Sequence, residues 1–164
     1  MGWSYAHLHG FYMSRKRHEK EQPIIIQVPH PEWDAEHTRD ERTERLADWF
    51  PSQLKQCVYT YDFGDSWDHT VLFERMVPVA TAQKYPLCVA GKNACPPEDC
   101  GSTGGYERLL AVLRDPKNID HEDMMDWMGL DEGETYDSTA FSAEEVRFAD
   151  SKKELKEYMK YNHL

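Results

Sequence analysis

Hydrophobic and polar positions alternate most clearly in the centre of this chain, where they predict a β-hairpin. Residues 57–63 and 67–76 are rich in aromatic and β-branched side chains, and Gly64-Asp65-Ser66 between them is a turn sequence. Successive side chains of a strand point to opposite faces, so one face of the second strand is expected to be apolar apart from a single histidine. That face carries Trp67, His69, Val71 and Phe73, and the other carries Asp68, Thr70, Leu72 and Glu74.

Weaker patterns before the hairpin predict two more strands and a short helix. Segment 7–12 alternates, which in a strand would place both of its histidines on one face. The apolar run at 24–28 lies between two prolines and predicts a second short strand. Residues 43–50 predict a short helix, and the polar stretch 31–42 before it predicts a surface loop.

Helical periodicity dominates the C-terminal half of the chain. Residues 106–113 repeat apolar side chains with a period of about 3.6, which predicts a helix entered from a glycine-rich run. Asp120 is expected to begin a second helix and Gly129 to end it. Ser142 opens a capping-box pattern that predicts a third helix, reaching to about residue 161.

Length and composition agree with one folded domain. The chain has 164 residues, of which 40% are hydrophobic and 12% aromatic, and this is enough to bury a core. We therefore predict a single α+β domain over residues 1–164, in which an antiparallel sheet of three to four strands is followed by a helical C-terminal half.

The acidic balance of the chain restricts its partners. Thirty Asp and Glu residues against 19 Lys and Arg residues give a formal net charge of −11. This charge repels phosphate backbones, so nucleic acid is disfavoured as a partner. The sequence has no apolar run of the roughly 18 to 20 residues that cross a bilayer, and no signal-peptide pattern. We expect no membrane association and a cytoplasmic location.

A loop rich in proline and glycine, residues 85–106, holds three of the four cysteines. In a reducing compartment, clustered thiols favour metal binding or free cysteines over a disulfide. Cys88, Cys95 and Cys100 together with a histidine predict a tetrahedral zinc site, and the candidates for the histidine are His9, His7 and His69. The alternative is that these thiols are small packing residues of a rigid loop. Cys57, within a strand pattern, is expected in the core.

A second polar group surrounds the predicted hairpin turn. Asp62, Asp65 and His69 are the candidate catalytic residues. In the structural interpretation, Asp65 is a residue of the turn itself, and Asp62 accepts hydrogen bonds from amides of the turn. In the functional interpretation, Asp62 and His69 form an acid and base pair, or they ligate a hard metal ion together with Glu98 and Asp99.

Four motifs give the chain a family resemblance. They are GWSYAHLHGF at 2–11, YTYDFGDSWDH at 59–69, YPLCVAGKNACPPEDCG at 85–101 and GGYERLL at 104–110. With these motifs the chain resembles the plasmid pRiA4b ORF-3-like family, some of whose members are described as passenger TnpR-like proteins of insertion elements. The resemblance implies an α+β domain with an antiparallel sheet and an association with mobile elements, and it implies no established activity.

This sequence departs from the family pattern in two places. Similar proteins usually have a strand and a helix before the first motif, whereas this chain starts at that motif, so the sequence is expected to lack both elements. A missing strand would leave a sheet edge open and favour a homodimer. The family's usual glycine is replaced by Ser102, which weakens any role for a bare glycine backbone there.

Two functional hypotheses follow from these residues. The first is a noncatalytic interaction module, associated with mobile elements, whose acidic and aromatic surface binds an unidentified protein partner. The second is a metal-dependent enzyme of the hydrolase class, which uses Asp62, His69 and the cysteine-rich loop. Neither hypothesis assigns a certain cofactor, and zinc is the candidate ion.

Overall fold

The computed structural model describes residues 2–4, 6–13, 23–29 and 36–150, together with 153, 156 and 160. Its strands are β1 (His9–Tyr12), β2 (Ile25–Gln27), β3 (Thr38–Asp40), β4 (Gln56–Tyr61) and β5 (Trp67–Leu72), and its helices are α1 (Leu46–Trp49), α2 (Ser102–Leu113) and α3 (His121–Met128). No helix among the described residues is long and apolar enough to cross a membrane.

The strands form one mixed sheet in the order β3-β2-β1-β4-β5. The α+β class is therefore confirmed, but the predicted sheet of three to four antiparallel strands was wrong. The difference is β3, which pairs parallel to β2 within the stretch predicted to be a loop. Its sequence, Thr38-Arg39-Asp40, has no hydrophobic alternation, because this strand lies at the sheet edge and gains its order from the β2 backbone.

The central hairpin was predicted correctly. Strands β4 and β5 pair antiparallel with Tyr61 opposite Trp67 and Tyr59 opposite His69. Along β5 half-buried and exposed residues alternate, as expected for a sheet with one covered face. The turn is longer than its three predicted residues and comprises residues 62–66.

A buried apolar cluster covers one end of this face. Met13, Ile26, Phe50 and Cys57 form its centre, and Val71 of β5 packs against it. Cys57 is fully buried, which confirms its predicted place in the core.

Helices α2 and α3 occupy the segments that the periodicity indicated, and only α2 begins earlier than predicted. Helix α2 begins at Ser102, so the glycine-rich run is its first turn rather than a loop before it. Helix α3 follows Asp120 and ends at Gly129, whose positive φ of 66° suits a glycine. The predicted side-chain cap is absent from Asp120, whose carboxylate instead accepts a hydrogen bond from Arg108 of α2.

The C-terminal half is less helical than predicted. Residues 143–145 form a turn, and 146–150 are not helical, so no helix starts at Ser142, whereas the described residues 153, 156 and 160 are helical. Most of the remainder of the predicted third helix lies outside the described residues.

The chain divides into two compact units. The first, Met1–Arg75 with Cys95–Ser138, contains the sheet and the three helices named above. The second consists of Met76–Ala94 and Thr139–Leu164. Within the second unit, Gly91 lies so close to the ring of Phe141 that an added Cβ would be 2.2 Å from it.

Candidate metal centre

Three chain segments meet at the end of the sheet opposite the apolar cluster. They are the N-terminal segment before β1, the turn between β4 and β5, and the loop before α2. One hydrogen bond ties the turn to the loop, since the amide of Gly101 donates to Oδ2 of Asp65 over 2.9 Å. The loop also packs closely against the first turn of α2, because a Cβ on Gly105 would lie 1.8 Å from the carbonyl oxygen of Cys100. The first turn of α2 thus needs a glycine at that position.

Each segment contributes one side chain to a compact polar group. His7, Asp62 and Asp99 offer ligand atoms that all lie within 4.8 Å of one another. The Nε2 atom of His7 is 3.3 Å from Oδ1 of Asp99, and its Nδ1 atom is 3.8 Å from Oδ2 of Asp62. Nε2 also lies 3.7 Å from Oε2 of Glu98. A single imidazole therefore faces three carboxylates.

The turn holds Asp62 in a defined orientation. Its Oδ1 atom accepts hydrogen bonds from the amides of Gly64 and Asp65, at 2.9 and 3.3 Å. With Oδ1 engaged in this way, Oδ2 is directed to His7. Asp62 is buried and has a φ of 54°, in the left-handed region that Asp tolerates better than most residues. Local backbone geometry thus places one carboxylate oxygen at the site.

Asp99 is the most solvent-exposed of the three side chains in the group. It too has a left-handed backbone, with a φ of 56°. Its side chain is 69% exposed, whereas that of His7 is 28% exposed. The group is therefore supported from the sheet by Asp62 and reached from solvent at Asp99.

Glu98 is fixed by the sheet and the N-terminal segment. Its Oε1 atom accepts hydrogen bonds from the amide and hydroxyl groups of Ser4, at 2.7 and 3.0 Å. The Tyr61 hydroxyl, 3.0 Å away, donates to the same carboxylate and accepts from the amide of Ala6. Burial and the hydrogen bond to Glu98 raise the pKa of Tyr61, so this phenol stays protonated as a donor.

An aromatic wall supports the N-terminal segment. The indole of Trp3 stacks on the ring of Tyr61 with centroids 4.8 Å apart, and it donates a hydrogen bond to the carbonyl of Pro96. Its ring also lies 5.4 Å from that of His69, edge to face. Trp3 thus joins the first segment to both the sheet and the loop.

The donor set has a definite chemical preference. Two carboxylates and one imidazole suit divalent cations such as Mn²⁺ or Zn²⁺, whose coordination accepts both oxygen and nitrogen ligands. Within the described ranges, the ion pairs of Asp62, Glu98 and Asp99 are all made with His7. These carboxylates therefore leave negative charge available to a cation.

The structure brings some of the predicted residues together and separates others. Asp62, Glu98 and Asp99, proposed as hard-metal ligands, lie at one site, with Asp65 in a supporting hydrogen bond. The histidine of the group is His7 and not His69. The Nδ1 atom of His69 lies 3.2 Å from the carbonyl of Tyr59, and among the described residues no hydrogen bond joins His69 to Asp62.

The cysteine zinc site stays a prediction. His9 lies in β1 with its Nε2 atom 2.9 Å from Oε2 of Glu41. Cys95 and Cys100 belong to the first compact unit and Cys88 to the second. Burial, reinforced by Asp65, raises the pKa of the Cys100 thiol, which favours the protonated form over a thiolate ligand.

Sequence reasoning named His7 only as a possible partner of the cysteines in a zinc site, and it gave Trp3 and Tyr61 no role. The signal that was available is their position in the motifs: His7 and Trp3 lie in the first, and Tyr61 directly precedes Asp62 in the second. The alternation of segment 7–12 assigned His7 to a strand. In fact β1 begins at His9, and His7 lies before it.

Fold and site together define an α+β protein with a polar centre at one end of a mixed sheet. The chain matches the family described as plasmid pRiA4b ORF-3-like protein over residues 1–145, and it belongs to that family. The uncharacterised protein y4hQ of Sinorhizobium fredii is 31% identical over 140 residues, which cover 85% of this chain and 66% of that protein. The chain thus spans just under two thirds of the length of that relative.

A solved structure has the same fold. The crystal structure of a protein of unknown function from Methanosarcina mazei Go1, MM3350, matches with a TM-score of 0.74 and 34% sequence identity. The match covers 90% of this chain and 77% of that chain. These comparisons establish family and fold, and the relatives are themselves described as uncharacterised.

Proposed function

We propose that this protein is a metal-dependent enzyme of the hydrolase class, in which His7, Asp62 and Asp99 hold a divalent cation. The observation that carries the proposal is the approach of ligand atoms from three separate segments to within 4.8 Å of one another. A cation bound between the two carboxylates would relieve their mutual repulsion. The proposal differs from the sequence-based hypothesis in two respects: His7 takes the place of His69, and Glu98 is not a ligand.

Backbone conformation supports a functional role for the group. Asp62 and Asp99 both have a left-handed backbone, which costs an L-residue roughly 1 kcal/mol. Such conformations cluster at sites where a side chain must point in one direction. Here they direct two carboxylates at one imidazole.

The proposed chemistry is activation of water against a polarised substrate. A divalent cation with three protein ligands retains positions for water and substrate, and it polarises a carbonyl or phosphoryl oxygen. Glu98 is the proposed general base, because Ser4 and Tyr61 hold its carboxylate beside the group without Glu98 itself being needed as a ligand. The exposure of Asp99 gives a substrate access from solvent.

Cation binding is tested with Asp62→Asn. An asparagine keeps the side-chain oxygen that accepts from Gly64 and tolerates the same φ, so the change removes charge and leaves the turn intact. Calorimetric titration with Mn²⁺ or Zn²⁺ is expected to give one site per chain in the wild type. Asp62→Asn should weaken binding by about 100-fold. A direct ligand is expected to matter at least as much as residues that only hydrogen bond to metal ligands, whose loss weakens binding by about 10- to 100-fold.

The matched control is Asp48→Asn, because Asp48 is an exposed carboxylate on α1. It should bind the ion as the wild type does. A wild type that binds neither ion would contradict the proposal and leave His7 as the ion-pair partner of the carboxylates. Equal losses in both variants would assign the effect to net charge.

A protein-interaction module is the second candidate, and exposed apolar side chains in the second compact unit favour it. Met76, Val79 and Val89 are each more than three quarters exposed. Large exposed apolar groups are typical of surfaces that bind another protein. This function requires no cation, so the same titration separates the two: absence of ion binding favours the interaction module.

A further inference from the structure

Helices α2 and α3 border a cleft of about 360 Å³ that the proposed metal chemistry leaves unused. From α3 and its N-cap residue, the lining residues are Asp120, Asp123, Met124 and Trp127. Their spacing of three, four and seven positions places them on one side of the helix. We call this space the α2–α3 cleft.

The cleft combines an apolar floor with an acidic rim. Leu109 of α2 is buried beneath it, and Met124 of α3 is half-buried. Its lining contains one basic residue, Arg108, whose guanidinium is 2.7 Å from Oδ2 of Asp120. Since these two charges compensate each other, the net charge of the lining comes from Asp99 and Asp123.

The acidic residues alone would not make a binding site. Asp123 lies in the first turn of α3, where a carboxylate stabilises the helix dipole. The exposed indole of Trp127 has no such explanation. Trp127 is 50% exposed and borders the cleft one turn after Asp123. An indole and a carboxylate lining the same cleft are a combination that attracts organic cations.

We propose that the α2–α3 cleft binds a primary alkylammonium group, with the charged end between Asp123 and Trp127 and the aliphatic part over Leu109. The carboxylate supplies the ion pair and the indole supplies a cation–π contact. The apolar floor removes the aliphatic carbons from water. A cleft of this volume lies at the lower end of the range for small-ligand sites, about 300 to 1,000 Å³.

This proposal is independent of the metal, although the two sites share Asp99. A divalent cation at His7 would neutralise part of the charge that Asp99 offers to the cleft. Binding of the two ligands should therefore be mutually antagonistic by the same factor in both directions. Measured in a chelator, alkylammonium binding tests the cleft alone, whatever the outcome at the metal centre.

The experiment is titration calorimetry with butylammonium chloride in EDTA, with butanol as the uncharged comparison. The wild type is expected to bind butylammonium and to bind butanol at least about tenfold more weakly. Asp123→Asn and Trp127→Leu should each weaken butylammonium binding by on the order of tenfold, since each removes one attraction of the cation. The same measurement with Nα-acetyl-lysine methylamide shows which kind of molecule carries the alkylammonium group. Tighter binding than that of butylammonium would assign a lysine side chain of a peptide, and weaker binding would assign a free amine.

Asp126→Asn is the matched control, because Asp126 lies on the same helix and is exposed but does not line the cleft. It changes net charge as Asp123→Asn does and should leave binding unchanged. No binding by the wild type, or equal losses in the two variants, would overturn the proposal. Unchanged binding in Trp127→Leu would also overturn it, because the indole would then have no part in recognition.

Discussion

One face of the sheet differs sharply between its two ends. At one end Met13, Phe50 and Cys57 form a buried apolar cluster. At the other end, the same pair of strands, β1 and β4, is flanked by His7 and Asp62 in the proposed metal centre. Cross-strand pairing between β1 and β4 is continuous from one end to the other. The difference therefore comes from the segments beyond the paired strands, since His7 precedes β1 and Asp62 lies in the turn after β4.

The two histidines at the start of β1 show how strongly position decides chemistry. His9 is in the strand, buried, and 2.9 Å from one carboxylate, that of Glu41. His7 lies two residues earlier, is partly exposed and faces three carboxylates. A buried histidine paired with a carboxylate inside the fold is typical of structure, whereas an accessible one among several carboxylates is typical of a site. The apolar end should thus govern stability and the polar end cation binding.

The largest effect is expected from a substitution at the apolar end of the sheet, which should change stability and leave cation binding at the polar end unchanged. Phe50→Ala removes a buried ring that stacks on Phe73, with centroids 6.2 Å apart. Its loss should lower the free energy of unfolding by about 3 to 5 kcal/mol. Denaturant titration measures this, and Leu46→Ala, an exposed change on α1, should cost far less. At a temperature where Phe50→Ala is folded, its cation affinity should equal that of the wild type, and a large loss of affinity would show that the ends are coupled.

The sequence predicted those elements whose signal is local. The β4–β5 hairpin carries its alternation and turn within one continuous stretch, and the end of α3 is marked by Gly129. Strand β3 could not be predicted in this way, because Thr38-Arg39-Asp40 becomes a strand through pairing with β2 and has no pattern of its own. The start of α2 was placed too late, since glycines at its first turn indicated a loop.

The candidate site was predicted in part for the same physical reason. Asp62 was identified because it is next to a turn, and Glu98 and Asp99 because they follow a proline pair in the cysteine-rich loop. Choosing the histidine required three-dimensional information. His69 is seven residues from Asp62 in sequence, and His7 is 55 residues away, yet it is His7 that lies 3.8 Å from the Asp62 carboxylate.

The second largest effect is expected from Gly105→Ala, which is compared with the same change at the neighbouring Gly104 of α2. Gly105→Ala would place a Cβ 1.8 Å from the carbonyl oxygen of Cys100, so the loop bearing Asp99 must move. Overpacking of this kind costs typically 1 to 3 kcal/mol. The displacement of Asp99 should also weaken cation binding by at least about tenfold, a loss that calorimetry with Mn²⁺ measures.

Gly104→Ala is the control for that change. A Cβ on Gly104 meets no atom within 4 Å, and alanine is the better helix former by about 1 kcal/mol. This variant should be as stable as the wild type or slightly more stable, with normal ion binding. If both variants lose ion binding equally, the close approach of Gly105 to the loop does not hold the site in place.

The smallest effect is expected from Tyr61→Phe, which changes a single oxygen. The hydroxyl donates to Glu98 and accepts from Ala6, so its removal should cost about 1 to 2 kcal/mol, while Ser4 continues to hold Glu98. The pKa of Tyr61 is raised in the fold, mainly by burial and also by Glu98. A raised pKa stabilises the protein fully below the unfolded value of about 10, and this contribution is lost as the pH rises through the folded value. Denaturant titrations between neutral and alkaline pH should therefore show wild type and Tyr61→Phe converging above pH ~10. If the difference in free energy of unfolding between the two proteins stays constant across this range, folding does not raise the pKa of Tyr61.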